Sequence, residues 1–129
     1  MKTVIIGGVA GGMSAATRLR RLQEKAEIII FEQGPNVSYA NCGLPYHVGG
    51  IIPKESSLLL QTPEALKDRF NLDVRVRSRV TKINKESKTV TVLDLESNNT
   101  YEESYENLVI STGAKPRALP IHGAERAFV

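Results

Sequence analysis

Val4–Ala16 reads V-I-I-G-G-V-A-G-G-M-S-A-A, and this stretch decides the fold. Thr3–Ile6 is β-branched and apolar, which predicts a strand buried on both faces, as in a parallel sheet. Gly7 ends it. From Gly11 to Lys25, Met13, Ala16, Leu19 and Leu22 or Gln23 recur at spacings of three and four, with Arg18, Arg20, Arg21, Glu24 and Lys25 opposite, which predicts an amphipathic helix. Glu27–Glu32 (E-I-I-I-F-E) predicts a second buried strand. Strand, glycine turn, helix and strand fit into about thirty residues, the size of a βαβ crossover.

A glycine turn between a buried strand and a helix leaves free backbone N–H groups where a pyrophosphate can bind. Gly7 permits the tight turn and Gly12 permits close helix–strand packing, with Ala16 helping one turn later. The middle position of G-x-G-x-x-G is Val9, so binding requires the backbone at Val9 and Ala10 to approach the phosphates. Glu32 closes the second strand, where a carboxylate can accept a hydrogen bond from an adenosine ribose hydroxyl. An acid at that position disfavours a 2′-phosphate, so the site suits FAD or NAD better than NADP. No G-K-[ST] follows, which excludes a P-loop. The plainer reading is a glycine-rich turn that only packs.

Beyond Glu32 the chain is loop-rich to Pro53. Thr62-Pro63 predicts an N-cap and first turn for a helix to about Phe70. Asp73–Thr81, Lys88–Leu95 and Thr100–Tyr105 predict a β-meander, and Leu108–Ser111 another apolar strand ending at Thr112-Gly113. Lys115–Val129 reads as irregular. Arg75, Arg77 and Arg79, alternating with valines, read as the solvated face of a half-buried strand, and Glu102, Glu103 and Glu106 as a solvated charge cluster.

Composition narrows the classes. The 129 residues match one ordinary globular domain. Lys and Arg number 17 against 14 Asp and Glu, and no Trp is present, so nothing points to nucleic acid. No apolar run is long enough to span a bilayer, no signal-peptide pattern opens the chain, and one cysteine makes no internal disulfide; a cytoplasmic location is expected. His47 and His122 lack further ligands nearby, so no metal site is expected.

The cysteine, Cys42, lies in S-Y-A-N-C-G-L-P-Y-H (Ser38–His47). At the start of a short helix its thiolate is favoured by the helix dipole. Gly43 is expected to leave room for a flat ring or a disulfide partner. The ten residues from Glu32 to Cys42 can span roughly 33 Å, enough to pass from the ribose end of a dinucleotide to its redox ring. The alternative is a small buried hydrophobe. His47 either tunes Cys42 or is structural; Tyr39 and Tyr46 either line an approach or pack.

The glycine turn, Glu32, S-Y-A-N-C-G-L-P-Y and I-S-T-G-A-K-P-R together resemble the N-terminal FAD region of pyridine nucleotide-disulfide oxidoreductases. Within that family the chain looks most like coenzyme A-disulfide reductases and the related NADH oxidases and peroxidases. The resemblance implies an α/β FAD/NAD(P)-binding (Rossmann-like) fold, its parallel sheet bearing a helix on one face and the Asp73–Tyr105 meander on the other, incomplete here. It implies FAD held by Gly7, Val9, Ala10, Gly12 and Glu32, with Val80, Thr112 and Gly113 close to the cofactor, and NAD(P)H as electron donor. Cys42 would be the redox thiol, flanked by Ser38 and Asn41, with Arg21 facing the phosphates of coenzyme A. Dithiol relatives carry a second cysteine where His47 stands, so turnover here would use a mixed disulfide or a sulfenic acid.

Family enzymes also carry a nicotinamide domain and a dimerisation domain, so the chain is expected to be the first part of a larger, homodimeric enzyme and inactive by itself. Substrates implied are a small disulfide such as coenzyme A disulfide, a peroxide or dioxygen. The competing readings are a plain NAD dehydrogenase domain and a nucleotide-binding module without redox chemistry.

Overall fold

The computed structural model describes residues 1–115 and 120–122. The chain runs β1 (Lys2–Ile6), α1 (Ala10–Leu22), β2 (Glu27–Phe31), a 3-10 turn (Asn41–Gly43), α2 (Leu44–Val48), a second 3-10 turn (Glu55–Leu58) and α3 (Pro63–Phe70). It continues through β3 (Asp73–Arg75), β4 (Ser78–Asn84), β5 (Thr89–Asp94), β6 (Thr100–Ser104) and β7 (Asn107–Ile110). Pro116, Arg117 and Gly123, read above as part of a motif or an irregular tail, lie outside the described residues.

Two sheets form. One is parallel, in the order β3-β2-β1-β7, and the other antiparallel, in the order β4-β5-β6. Val4 pairs with Ile29 on one side and Leu108 on the other. The apolar runs are continuous because both faces of the parallel sheet are covered. Ile5, Ile28 and Ile30 point to α1 and α3 and pack with Met13, Ala16, Leu66 and Leu72. The alternate residues Val4, Ile6, Ile29 and Phe31 point to the meander and pack with Val90 and Val92. Burying one such side chain contributes roughly 1.5–3 kcal/mol, so these two clusters hold the three layers together.

The structure bears out the parallel sheet, the helix and the meander on its opposite face, and corrects four details. Asp73–Thr81 is not one strand: Asp73–Arg75 joins the parallel sheet beside β2, and only from Ser78 does the chain enter the meander. Consequently Arg75 does not lie on a solvated face. Its side chain is two-thirds covered, and its guanidinium is bonded to Asp73, Tyr101 and Glu103. Glu103, in turn, is not part of a solvated cluster: it is only 15% exposed and also takes Lys2 Nζ. Last, α1 stops at Leu22 rather than Lys25, because the Arg20 side chain takes the carbonyls of Gln23 and Glu24, which lets the chain turn. The Thr62 cap is as expected; its hydroxyl accepts from Ala65 N–H at 3.2 Å.

β1 lies inside the parallel sheet. The chain leaves it toward β2 and β3 on one side and returns on the other as β7. The C-terminal ends of β1 and β7 are therefore a topological switch point, the place where open α/β sheets form a ligand crevice.

Candidate functional site

At the switch point the two strand ends are stitched together. Ser111 N–H donates to Ile6 O at 2.8 Å, and the Ser111 hydroxyl donates to the same carbonyl at 3.1 Å. Gly7 follows with φ +103, and a Cβ there would sit 2.2 Å from Ser111 O. Gly12 is equally constrained: a Cβ would lie 1.8 Å from Gly7 O. The glycines thus bring α1 and β7 onto the turn. No side chain caps the start of α1, no acid lies in its first turn, and the Met13 N–H bonds back to Val9 O. Ala10, Gly11 and Gly12 precede the first helical bond, so their N–H groups meet the approach to the turn.

Glu32 leaves β2 beside this turn. Its carboxylate accepts from Gly8 N–H at 2.8 Å and from Gly34 N–H at 2.7 Å. Each oxygen thereby uses one lone pair and keeps another for a ligand hydroxyl. A cavity of about 330 Å³ opens here, lined by Gly7, Glu32, Val80, Thr112 and Gly113 together with Phe31, Ser78, Arg79 and Lys115. Five of the sequence-derived positions, from four separate segments, therefore meet around one space. A β-bulge between Val80 and Lys82 bends the meander edge at this wall. Val9 is the N-cap residue of α1, and Ala10 and Gly12 lie in its first turn, all three outside the lining. Arg79 and Lys115 were not anticipated as cavity cations; their sequence signal is adjacency to Val80 and to the Thr112-Gly113 turn.

A second cavity, about 340 Å³, lies along the outer side of α1. It gathers Arg21 and Ser38 with Ser14, Thr17, Gln61 and Arg69 over an apolar floor of Met13, Leu66 and Phe70. Two arginines and several hydroxyl or amide groups over apolar carbon suit an anionic ligand with an apolar part. Arg69, four residues before Asp73, was missed because a single cation near a helix end carries no signal of its own.

Cys42 and Asn41 line neither cavity. Cys42 is exposed, in the Asn41–Gly43 turn that leads into α2. Its loop is fastened to the glycine turn through Ser38, whose N–H donates to Gly8 O at 2.9 Å, and to the second 3-10 turn through Ala40 N–H and Leu58 O at 2.8 Å. A Cβ on Gly43 would meet Leu58 Cδ2 at 2.5 Å, so in that direction the volume the glycine leaves is taken by Leu58. His47 donates from Nδ1 to Ile52 O at 2.7 Å, a tie across its own loop. α2 spans only five residues, so its dipole acts over little more than one turn.

The crevice, the uncapped turn and the acid closing the second strand are the features of a Rossmann-like dinucleotide-binding α/β fold. The chain belongs to the pyridine nucleotide-disulphide oxidoreductase family, whose sequence model matches residues 1–129. Members of the family use FAD with NAD(P)H. A coenzyme A disulfide reductase of Staphylococcus epidermidis is 42% identical over 121 residues, 94% of this chain and 28% of that protein. The crystal structure of reduced Bacillus anthracis CoADR-RHD superposes with TM-score 0.91 at 54% identity, over 98% of this chain and 23% of that one. A NAD-dependent persulfide reductase from A. fulgidus gives TM-score 0.91 at 39% identity, over 97% of this chain and 23% of that one. The chain spans less than a third of the length of these relatives. No helix among the described residues is long and apolar enough to cross a membrane.

Proposed function

We propose that this chain is the N-terminal part of the FAD-binding domain of a coenzyme A-disulfide reductase-like enzyme, with Cys42 as its redox thiol. The observation that carries the reading is the cavity on which Gly7, Glu32, Val80, Thr112 and Gly113 converge. The fit is chemical: an uncapped helix start suits a pyrophosphate, and a carboxylate with spare acceptor capacity suits a ribose. Val9, Ala10 and Gly12 would hold the phosphates, and Val80 would meet the adenine. FAD, when bound, would supply the two-electron relay between a reduced nicotinamide and the thiol.

Cys42 would do the sulfur chemistry. Its thiolate attacks one sulfur of the disulfide, the S–S bond breaks, one coenzyme A leaves as thiolate and takes a proton, and a Cys42–coenzyme A mixed disulfide remains. Exposure of Cys42 supports this, since the incoming disulfide is bulky. Arg21 and Ser38, with Arg69, supply the anion-binding groups that coenzyme A phosphates need, and this favours coenzyme A disulfide over dioxygen or peroxide. Asn41, beside Cys42, is assigned to the incoming substrate as well. The complete enzyme would work as a homodimer in the thiol-reducing cytoplasm.

The test is purification at the relatives' full length. The protein should be yellow, release flavin on denaturation, and oxidise NAD(P)H in the presence of coenzyme A disulfide. A colourless protein that takes up no flavin on reconstitution would overturn the cofactor reading. A flavoprotein that reduces persulfides but not coenzyme A disulfide would keep the family chemistry and overturn the substrate.

A further inference from the structure

Arg75 sits outside the two cavities described above, yet its side chain links β3 to β2 and to β6. From β3 its Nε and Nη2 grip Asp73 Oδ2, while Nη1 donates to Glu103 Oε2 at 2.8 Å and to Tyr101 Oη at 3.3 Å on β6. Its guanidinium also stacks over the Phe31 and Tyr101 rings, at 5.4 and 6.0 Å from their centroids. Glu103 offers its other oxygen to Lys2 Nζ at 2.6 Å on β1. One carboxylate of the meander is thus held by cations from the two strands that flank β2.

The same residue holds Glu32 through the main chain. Glu32 N–H donates to Arg75 O, and Ser78 N–H donates to Glu32 O, both at 2.9 Å. Arg77 N–H donates to Gly34 O at 3.0 Å and Leu95 N–H to Arg77 O at 2.8 Å. The crossover from the parallel sheet to the meander, residues 75–78, therefore clasps the segment whose carboxylate meets the glycine turn, and it leads directly into Ser78, Arg79 and Val80 of the cavity wall.

We propose that Arg75 is a positioning residue: by locking the 75–78 crossover to Glu103, it fixes the Glu32 carboxylate where an adenosine ribose is recognised. This rests on the FAD reading above. A lysine replaces it only in part, because a point charge lacks both the planar fork to Asp73 and the stacking on Phe31 and Tyr101.

The experiment measures binding of FAD, and of the FAD analogue carrying 2′-deoxyadenosine, to the full-length apoenzyme in parent, Arg75→Met and Arg75→Lys forms. A hydrogen bond to a carboxylate should make the parent prefer FAD by roughly tenfold or more. With Arg75→Met the preference should fall below about threefold, with Arg75→Lys in between; the lysine form carries the test if the methionine form does not fold. A residue that only stabilises the fold would weaken both flavins by the same factor, and an unchanged preference would overturn the proposal. A parent that binds both flavins alike would overturn the ribose role of Glu32 and this proposal with it, while leaving FAD binding intact. A parent that binds neither would overturn the cofactor reading itself.

Discussion

The Glu32 carboxylate accepts a hydrogen bond from the backbone N–H of Gly8 at 2.8 Å. This contact ties the end of β2 to the turn after β1, and with them the group proposed for the ribose and the turn proposed for the phosphates. Replacing Glu32 by Gln keeps the shape but removes the charge and turns one acceptor into a donor facing Gly8 or Gly34 N–H. FAD affinity of the full-length protein should fall roughly 10- to 100-fold, read by flavin fluorescence on titrating the apoprotein. Unchanged affinity would remove Glu32 from the site.

Gly11 and Gly12 adjoin in sequence and differ in surroundings. A Cβ on Gly12 would meet the Gly7 carbonyl at 1.8 Å, and one on Gly11 would find only Ser111 Cβ, at 3.5 Å. Gly12→Ala should therefore destabilise the apoprotein by roughly 3 kcal/mol or more, because backbone must move. Gly11→Ala should stay within about 0.5 kcal/mol of the parent. Urea melts of the two variants check the contrast.

Burial alone would raise the Glu103 carboxyl, but the hydrogen bonds from Lys2 and Arg75 outweigh it and hold the group below its ordinary value. A depressed folded-state value means that the native state favours the ionised form, so the stabilisation is present above the unfolded-state value of about 4.3 and is lost as pH falls through the folded-state value. Glu103→Gln should lower the melting temperature by a few degrees at pH 7, and the gap should close toward pH 3. A gap that persists unchanged in acid would show that the carboxylate charge is not what Lys2 and Arg75 hold.

Arg21 and Arg69 face the second cavity. Arg21→Ala in the full-length enzyme should raise KM for coenzyme A disulfide roughly tenfold and leave kcat within about twofold, the pattern of lost ground-state binding. Steady-state kinetics over a range of disulfide concentrations measures it. A fall in kcat at unchanged KM would place Arg21 elsewhere in the reaction.

The order of the layers was legible because buried strands and an amphipathic helix write distinct periods into the chain. Val4–Ile6 and Ile28–Phe31 are apolar at every position, which only a sheet covered on both faces allows, and both faces are covered. Gly7 and Glu32 were legible from the glycine turn and the end of the second strand, and Val80, Thr112 and Gly113 followed from the family resemblance; the five share one cavity. Asp73–Arg75 misled the reading because alternation of valine with arginine has the same period in either sheet. What decides its partner is the long-range pairing of Val74 with Ile30, which leaves no local trace. Arg75 and Glu103 read as solvated for the same reason: local sequence reports a charge, and only the packing of two sheets turns it inward. At Gly43 the glycine marks missing volume in the sequence without saying which neighbour, here Leu58, lies against it.

The central claim is that Cys42 carries the sulfur chemistry, and Cys42→Ser in the full-length protein tests it most directly. The serine variant should keep its flavin, and NAD(P)H should still bleach the flavin absorbance in a single turnover. Reduction of coenzyme A disulfide should fall to the uncatalysed background, because a serine hydroxyl forms no mixed disulfide. A serine variant that reduces coenzyme A disulfide at the parent rate would contradict the account.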